Sequence, residues 1–308
     1  MFPPRTEDFR SRFAGVARLY GAEAFEKIAS ARVCLVGLGG VGSWTCEALA
    51  RCGICEITLV DADEICATNT NRQLHALGEN YGRAKADVLA ERVRAINPAC
   101  CVRAVKIFLN SENVGEFFRK IAEETACGTD GNARGADGLT RSRASENDGN
   151  EVPAAGGGGG SGFGRDFGSA AIVVDAIDGA RNKAALIAAC VASGTKIVSS
   201  GGCAGRCDAT RIGRADLSEA QGDALLRIVR RELRAHFGFP NGISGKKFDV
   251  PVVFSREVPR APAELDDAAF PQMISPAGGK PRAGTAAFVT GAFGLALAQL
   301  VVEKILEG

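Results

Sequence analysis

Neither charge dominates this chain: 37 Lys and Arg stand against 36 Asp and Glu, a formal net charge of +1. That excludes a protein-wide basic field for nucleic acid, so any RNA contact must come from a local patch. Histidine is scarce, with only His75 and His236, and both are read as structural rather than as general bases. A secretory signal is lacking, because MFPPRTEDFRSRFAG is charged and has no apolar run. A second C-x-x-C is lacking too. Cys52 and Cys55 form one, Cys203 and Cys207 are four apart, and no Cys follows Cys207. A structural zinc site usually takes two close pairs, so the 11 Cys are read as free, mostly buried thiols in a reducing cytoplasm. Uncharged stretches long enough to cross a membrane are confined to the end of the chain, in AGTAAFVTGAFGLALAQLVVEKIL. Its Ala, Gly and Thr content and Gln299 fit a helix buried in a domain core better than a membrane span.

What is present is an alternation of strand and helix. ARVCLV, CEITLVD, CCVRAVKIFL, AAIVVDAID and TKIVSSGG read as strands. Between them GGVGSWTCEALARCG, GRAKADVLAERVRAINP and GARNKAALIAACVASG read as helices. NSENVGEFFRKIAEE reads as a further helix capped by Asn110 or Ser111. The order predicts an α/β fold: a Rossmann-like, doubly wound, mainly parallel sheet with helices on both faces. ATRIGRADLS and DVPVVFSREVP suggest later strands, and GDALLRIVRRELRAHFG a helix, in a C-terminal elaboration that continues the sheet. Residues 1–30 read as an N-terminal helical arm and 31–308 as the α/β domain. Residues 125–169 interrupt it with 13 of the 39 Gly and almost no large apolar side chains, a composition that predicts a disordered insertion.

The chemistry begins at VGLGGVG. Gly37, Gly39 and Gly42 complete a G-x-G-x-x-G between a strand and a helix, where free N–H groups and the helix dipole favour phosphate. Asp61 follows Gly42 by 19 residues, at the end of the second strand, where it can accept ribose hydroxyls. These features specify an adenine nucleotide without saying which. DADEICATNTNRQ then departs from a dehydrogenase, because hydride transfer has little use for so much positive and amide character at the phosphates. Attack of a carboxylate on ATP must neutralise a triphosphate and release pyrophosphate. Arg72, the amides around it and Lys85 supply donors and charge for that task. Asp178 supplies a hard oxygen ligand for Mg²⁺. All are expected to point into the crevice at the carboxyl ends of the strands.

GLGGVGSW, DADEICATNTNRQ, Lys85 and DAID together resemble the ubiquitin-activating-enzyme-like (ThiF/MoeB/HesA-type) adenylyltransferases. More narrowly, RFAGVARLYG, GVGSWTCEALARCGI, TNTNRQLHAL, RVRAINP, DAIDGARNKAALIAAC and VFSRE resemble the tRNA threonylcarbamoyladenosine dehydratases, over nearly all of the chain outside 125–169. The resemblance implies adenylation of the threonyl carboxylate of threonylcarbamoyladenosine beside the tRNA anticodon. Intramolecular ring closure follows, with net loss of water, and ATP and Mg²⁺ are consumed or required. It places Gly37, Gly39, Gly40 and Gly42 along the nucleotide, Asp61 on the ribose with Asp63 shaping that end, and Asn69, Arg72, Gln73 and Lys85 around the phosphates. Asp178 is placed on the metal. It further implies a homodimer in which Arg18, or alternatively Arg12, reaches into the partner's site.

Partners implied are the modified tRNA and a possible sulfur-transfer system, with no membrane. Two readings compete: activation of the C-terminus of a ubiquitin-like sulfur carrier, and a non-catalytic nucleotide-binding scaffold. The missing zinc pairs weigh against the first, and the presence of Arg72, Lys85 and Asp178 weighs against the second. No thioester Cys is evident in the later half, and Cys203 and Cys207 are read as small structural residues. For tRNA, Arg227, Arg230, Arg231 and Arg234 recur at helical spacing, and Lys246 and Lys247 follow; they form either a phosphate-tracking patch or a solvated helix face.

Overall fold

The protein is described as a computed structural model covering residues 6–118, 171–242, 245–264 and 283–307. Seven strands form one sheet in the order β3-β2-β1-β4-β5-β7-β6. The strands are β1 Arg32–Val36, β2 Glu56–Val60, β3 Cys101–Val105, β4 Ala171–Asp175, β5 Lys196–Ser200, β6 Ile212–Asp216 and β7 Pro251–Ser255. All pairings are parallel except β6 with β7, which is antiparallel. The expected doubly wound fold is therefore present, and the C-terminal part extends the sheet by the β7–β6 pair. β1 and β4, the central neighbours, are Val-rich and buried on both faces, as a parallel sheet covered by helices requires.

The described helices are α1 Glu7–Tyr20, α2 Ala22–Ser30, α3 Gly40–Arg51, α4 Lys85–Ile96, α5 Ala180–Ala192, α6 Ala224–His236 and α7 Ala287–Leu306. α3, α4 and α7 cover one face through Leu49, Leu89, Phe293 and Leu297, which pack with Leu35, Ile57 and Val174. α5 and α6 cover the other through Leu186, Ile187, Leu226 and Val229 against Val173 and Val252. Thr6 caps α1 by accepting from Phe9 N at 3.2 Å. Phe9 and Phe13 of α1 then stack with Phe25 of α2 over Gly53, where an added Cβ would lie 3.1 Å from both Phe13 and Phe25.

α7 is long and apolar enough to cross a membrane. Its face from Val289 through Gly294 and Leu297 to Val302 is nonetheless buried in the core, against α3 and the sheet. After β3, Asn110 and not Ser111 is the capping residue: its Oδ1 accepts from Glu112 N at 2.9 Å and Asn113 N at 3.1 Å. Residues 114–118 are helical, and the rest of that expected helix, like the expected insertion at 125–169, lies outside the described residues.

Connections from β1 lead through β2 to β3 on one side, whereas β4 and β5 continue on the other. This reversal opens a crevice beyond the carboxyl ends of β1 and β4, the position where such sheets bind ligands.

Candidate active site

The glycine loop divides its labour. Gly37 has φ of +87°, and a Cβ there would stand 2.8 Å from the Ala176 carbonyl, so it lets the end of β1 press against the end of β4. Gly42 allows α3 to start against the loop, since a Cβ there would fall 1.8 Å from Gly37 O. Gly39 is different: only the Gln73 amide nitrogen approaches its Cβ position, at 3.9 Å, so its surface is open to a ligand. Gly40, also expected along the nucleotide, packs close to α7: a Cβ there would lie 3.0 Å from Thr290 Cγ2.

Asp61 organises the neighbouring turn. Its Oδ2 accepts from Leu38 N at 2.7 Å and its Oδ1 from Asp63 N at 2.8 Å. Burial raises its pKa above the ordinary carboxylate value, against the opposing pull of Lys85 and the two N–H donors. Asp61 thus ties the second strand to the glycine loop.

Lys85 opens α4 and is buried, not at the crevice mouth as a long surface cation would be. Its Nζ donates to Asp63 Oδ2 at 2.6 Å. Arg72 is half-buried, and its Nη1 donates to Thr68 O at 2.8 Å and Asn71 Oδ1 at 3.0 Å. Gln73 is buried and its Oε1 has no partner among the described residues, an orphan acceptor beside the open Gly39. Asn69 Oδ1 accepts from Cys66 N at 3.2 Å, so its amide oxygen builds the turn and its nitrogen is the group that could donate to a phosphate.

Asp178 is exposed, three residues beyond the last residue of β4, whereas the strand was expected to run up to it. The strand end is instead Asp175, fully buried. Its Oδ2 accepts from Lys183 Nζ at 2.7 Å and from Ser199 Oγ at 2.7 Å, and its Oδ1 from Ile177 N at 3.1 Å. This buried set fixes the turn that carries Asp178. Among the described residues no group of three His, Cys, Asp or Glu could hold a metal ion. A single carboxylate suits an Mg²⁺ that arrives with phosphate oxygens and keeps several waters.

Arg18 is exposed near the end of α1 and has no partner among the described residues, whereas Arg12 donates to Asp8 Oδ2 at 2.7 Å. The later-half cysteines are poor nucleophiles. Burial pushes the Cys203 thiol up to about 12, and hydrogen bonding to Glu257 raises that of Cys207. Of the arginine row on α6, two members are committed to structure. Arg230 donates to the carbonyls of Leu217 and Ala220, and Arg234 donates to Pro240 O at 3.0 Å while stacking 5.3 Å from the Phe248 ring centre. Arg227 and Arg231 remain exposed.

Sequence reasoning missed Trp44, Asp175, Lys183, Ser199 and Thr290. Asp175 alone carried a signal, as the first Asp of DAID at the end of an apolar run.

A glycine loop between strand and helix, an acidic second-strand end and a cationic, amide-rich turn have the chemistry of a nucleotide-dependent adenylyltransferase site, and residues 11–127 match the ThiF family. The chain is 36% identical to the tRNA threonylcarbamoyladenosine dehydratase of Escherichia coli, over 98% of this chain and 96% of the relative. A crystal structure of the E. coli enzyme in complex with ATP matches with a TM-score of 0.71 and 36% identity, covering 98% of this chain and 96% of that one. A sulfur carrier protein adenylyltransferase from Thermus thermophilus is 34% identical over only 32% of this chain and 36% of its own length. The chain belongs to the tRNA threonylcarbamoyladenosine dehydratase family.

Proposed function

We propose that the chain catalyses ATP-dependent cyclisation of threonylcarbamoyladenosine in tRNA. The observation that carries this reading is the near-complete coverage of the E. coli dehydratase, set beside a crevice whose open Gly39, Arg72, Gln73 and Lys85 suit a nucleotide's phosphates. The sulfur-carrier activator matches only about a third of the chain.

In the proposed reaction the threonyl carboxylate attacks the α-phosphorus of ATP. The bond from that phosphorus to the bridging oxygen breaks, and pyrophosphate leaves. The free N–H groups at the start of α3 and the cations of Arg72 and Lys85 face the charge that builds on the phosphate oxygens. Asp178 would hold the Mg²⁺ that offsets the triphosphate's charge. The modified nucleoside then attacks its own activated carboxyl, losing a proton and expelling AMP, so the net change is removal of water. Arg18 serves the site of the other subunit in a homodimer.

The test is pyrophosphate release with modified tRNA, with a ubiquitin-like sulfur carrier, or with neither, followed by mass spectrometry of the tRNA nucleosides under mild work-up. Turnover with tRNA and a product lighter by one water supports the dehydratase. Turnover only with the carrier overturns it, and no turnover in any mixture favours a nucleotide-binding scaffold.

A further inference from the structure

The main-chain carbonyl of Arg72 is held by two side chains from distant helices. Trp44 Nε1 of α3 donates to it at 3.2 Å, and Thr290 Oγ1 of α7 at 3.1 Å. Thr290 is buried, and its other acceptor within reach is Ala287 O at 3.3 Å. The two helices meet with almost nothing between them. A Cβ at Gly294 would lie 2.6 Å from Trp44 Cβ and 2.7 Å from Val41 O, and Thr45 Oγ1 donates to Gly294 O at 3.1 Å. Close to the same spot, Gly40 touches Thr290 and Asn71 Nδ2 donates to Thr285 O at 2.8 Å. The phosphate turn is therefore fastened to the start of the C-terminal helix through two consecutive residues, Asn71 and Arg72.

We infer that Thr290, with Trp44, is a positioning residue for Arg72. A peptide carbonyl held from two sides fixes the orientation of the plane between Arg72 and Gln73. That orientation sets the direction from which the guanidinium and the Gln73 amide enter the crevice. Catalysis that depends on preorganised charge is sensitive to small changes in such direction. The inference rests on the proposed role of Arg72 at the phosphates.

Thr290→Val removes the donor and keeps the shape, and Thr290→Ser keeps the donor. Each is compared with wild type, with Arg72→Ala and with the Arg72→Ala/Thr290→Val double variant. The readouts are pyrophosphate release with modified tRNA and thermal melting. Thr290→Val is expected to lower kcat about tenfold, the rate equivalent of one lost hydrogen bond, at a melting temperature close to wild type. Thr290→Ser is expected to restore most of that rate. In the Arg72→Ala background the valine is expected to cost less than about twofold, because the two positions act as one unit.

Wild-type kcat in Thr290→Val, an equal loss in both backgrounds, or no rescue by serine would overturn the positioning role. An active Arg72→Ala would instead remove Arg72 from the site, and the inference with it. An inactive Arg72→Ala beside a fully active Thr290→Val removes the positioning role alone. If Thr290→Val melts far below wild type, Trp44→Phe removes the other donor to the same carbonyl and decides on the same readouts.

Discussion

Lys85 Nζ sits 2.6 Å from Asp63 Oδ2, with the lysine side chain 6% exposed and the aspartate 65% exposed. The cation expected at the phosphates is thus already paired, and its partner faces water.

Arg72→Ala and Lys85→Met are therefore expected to cut turnover by about a hundredfold or more, the scale for losing one charge-stabilising group. Stability should change little. Arg72 is half-buried, and the Asp63 carboxylate left behind by Lys85→Met remains solvated. Pyrophosphate release with modified tRNA, alongside thermal melts, checks both. Wild-type turnover in either variant would take that residue out of the site.

The Asp175–Lys183 pair should behave in the opposite way, because both side chains are fully buried. Lys183→Met strands a buried carboxylate and is expected to cost about 3–5 kcal/mol. Adding Asp175→Asn removes that stranded charge, so the double variant should be more stable than Lys183→Met alone. Urea unfolding of the three proteins measures this, and a double variant less stable than the single would show that the carboxylate does not need its lysine.

His75 governs part of the acid response. It is 2% exposed and neither ring nitrogen has a hydrogen-bond partner among the described residues. Burial, and secondarily Lys85, lowers its pKa from 6.5 to about 4. The folded protein resists a proton that the unfolded chain accepts, so this contribution is complete above about pH 6.5 and is lost as pH falls toward about 4. Over that window it amounts to roughly 3 kcal/mol. His75→Phe should flatten the fall in unfolding free energy between those limits relative to wild type. Parallel curves for the two proteins would assign the acid response to other groups.

Much of this could be read from the chain because it depends on local pattern. Buried Val-rich runs and a glycine loop between strand and helix specify a parallel sheet with a nucleotide crevice, whatever surrounds them. Roles set by contacts across the chain could not be read. The contact of Gly40 with Thr290 of the C-terminal helix cannot be seen in the glycine motif. Thr290 is unremarkable in sequence because its acceptor, Arg72 O, is 218 residues away. Asn69 offered an amide, but nothing in its spacing said that Cys66 N would take the oxygen. Helical spacing put four arginines on α6 without showing that Arg230 and Arg234 would find carbonyls and an aromatic ring.

Assembly gives the last test. Arg18 is exposed without a partner among the described residues, while Arg12, the alternative, is engaged with Asp8. A guanidinium offered to a neighbouring site keeps its charge and presents a planar fork to phosphate. Under the proposed two-fold dimer, Arg18→Ala and Asp178→Ala are each expected to be nearly inactive alone. After subunit exchange, a heterodimer holds one site with both defects and one with neither. At equal mixing half the dimers are heterodimers with one intact site of two, so about a quarter of wild-type activity should return. If Arg18 serves its own subunit, every site stays singly defective and mixing restores nothing. That outcome, with exchange confirmed by a tagged subunit, would reject the cross-subunit role. The Asp8-bound Arg12 would then face the same test, with Arg12→Ala in place of Arg18→Ala.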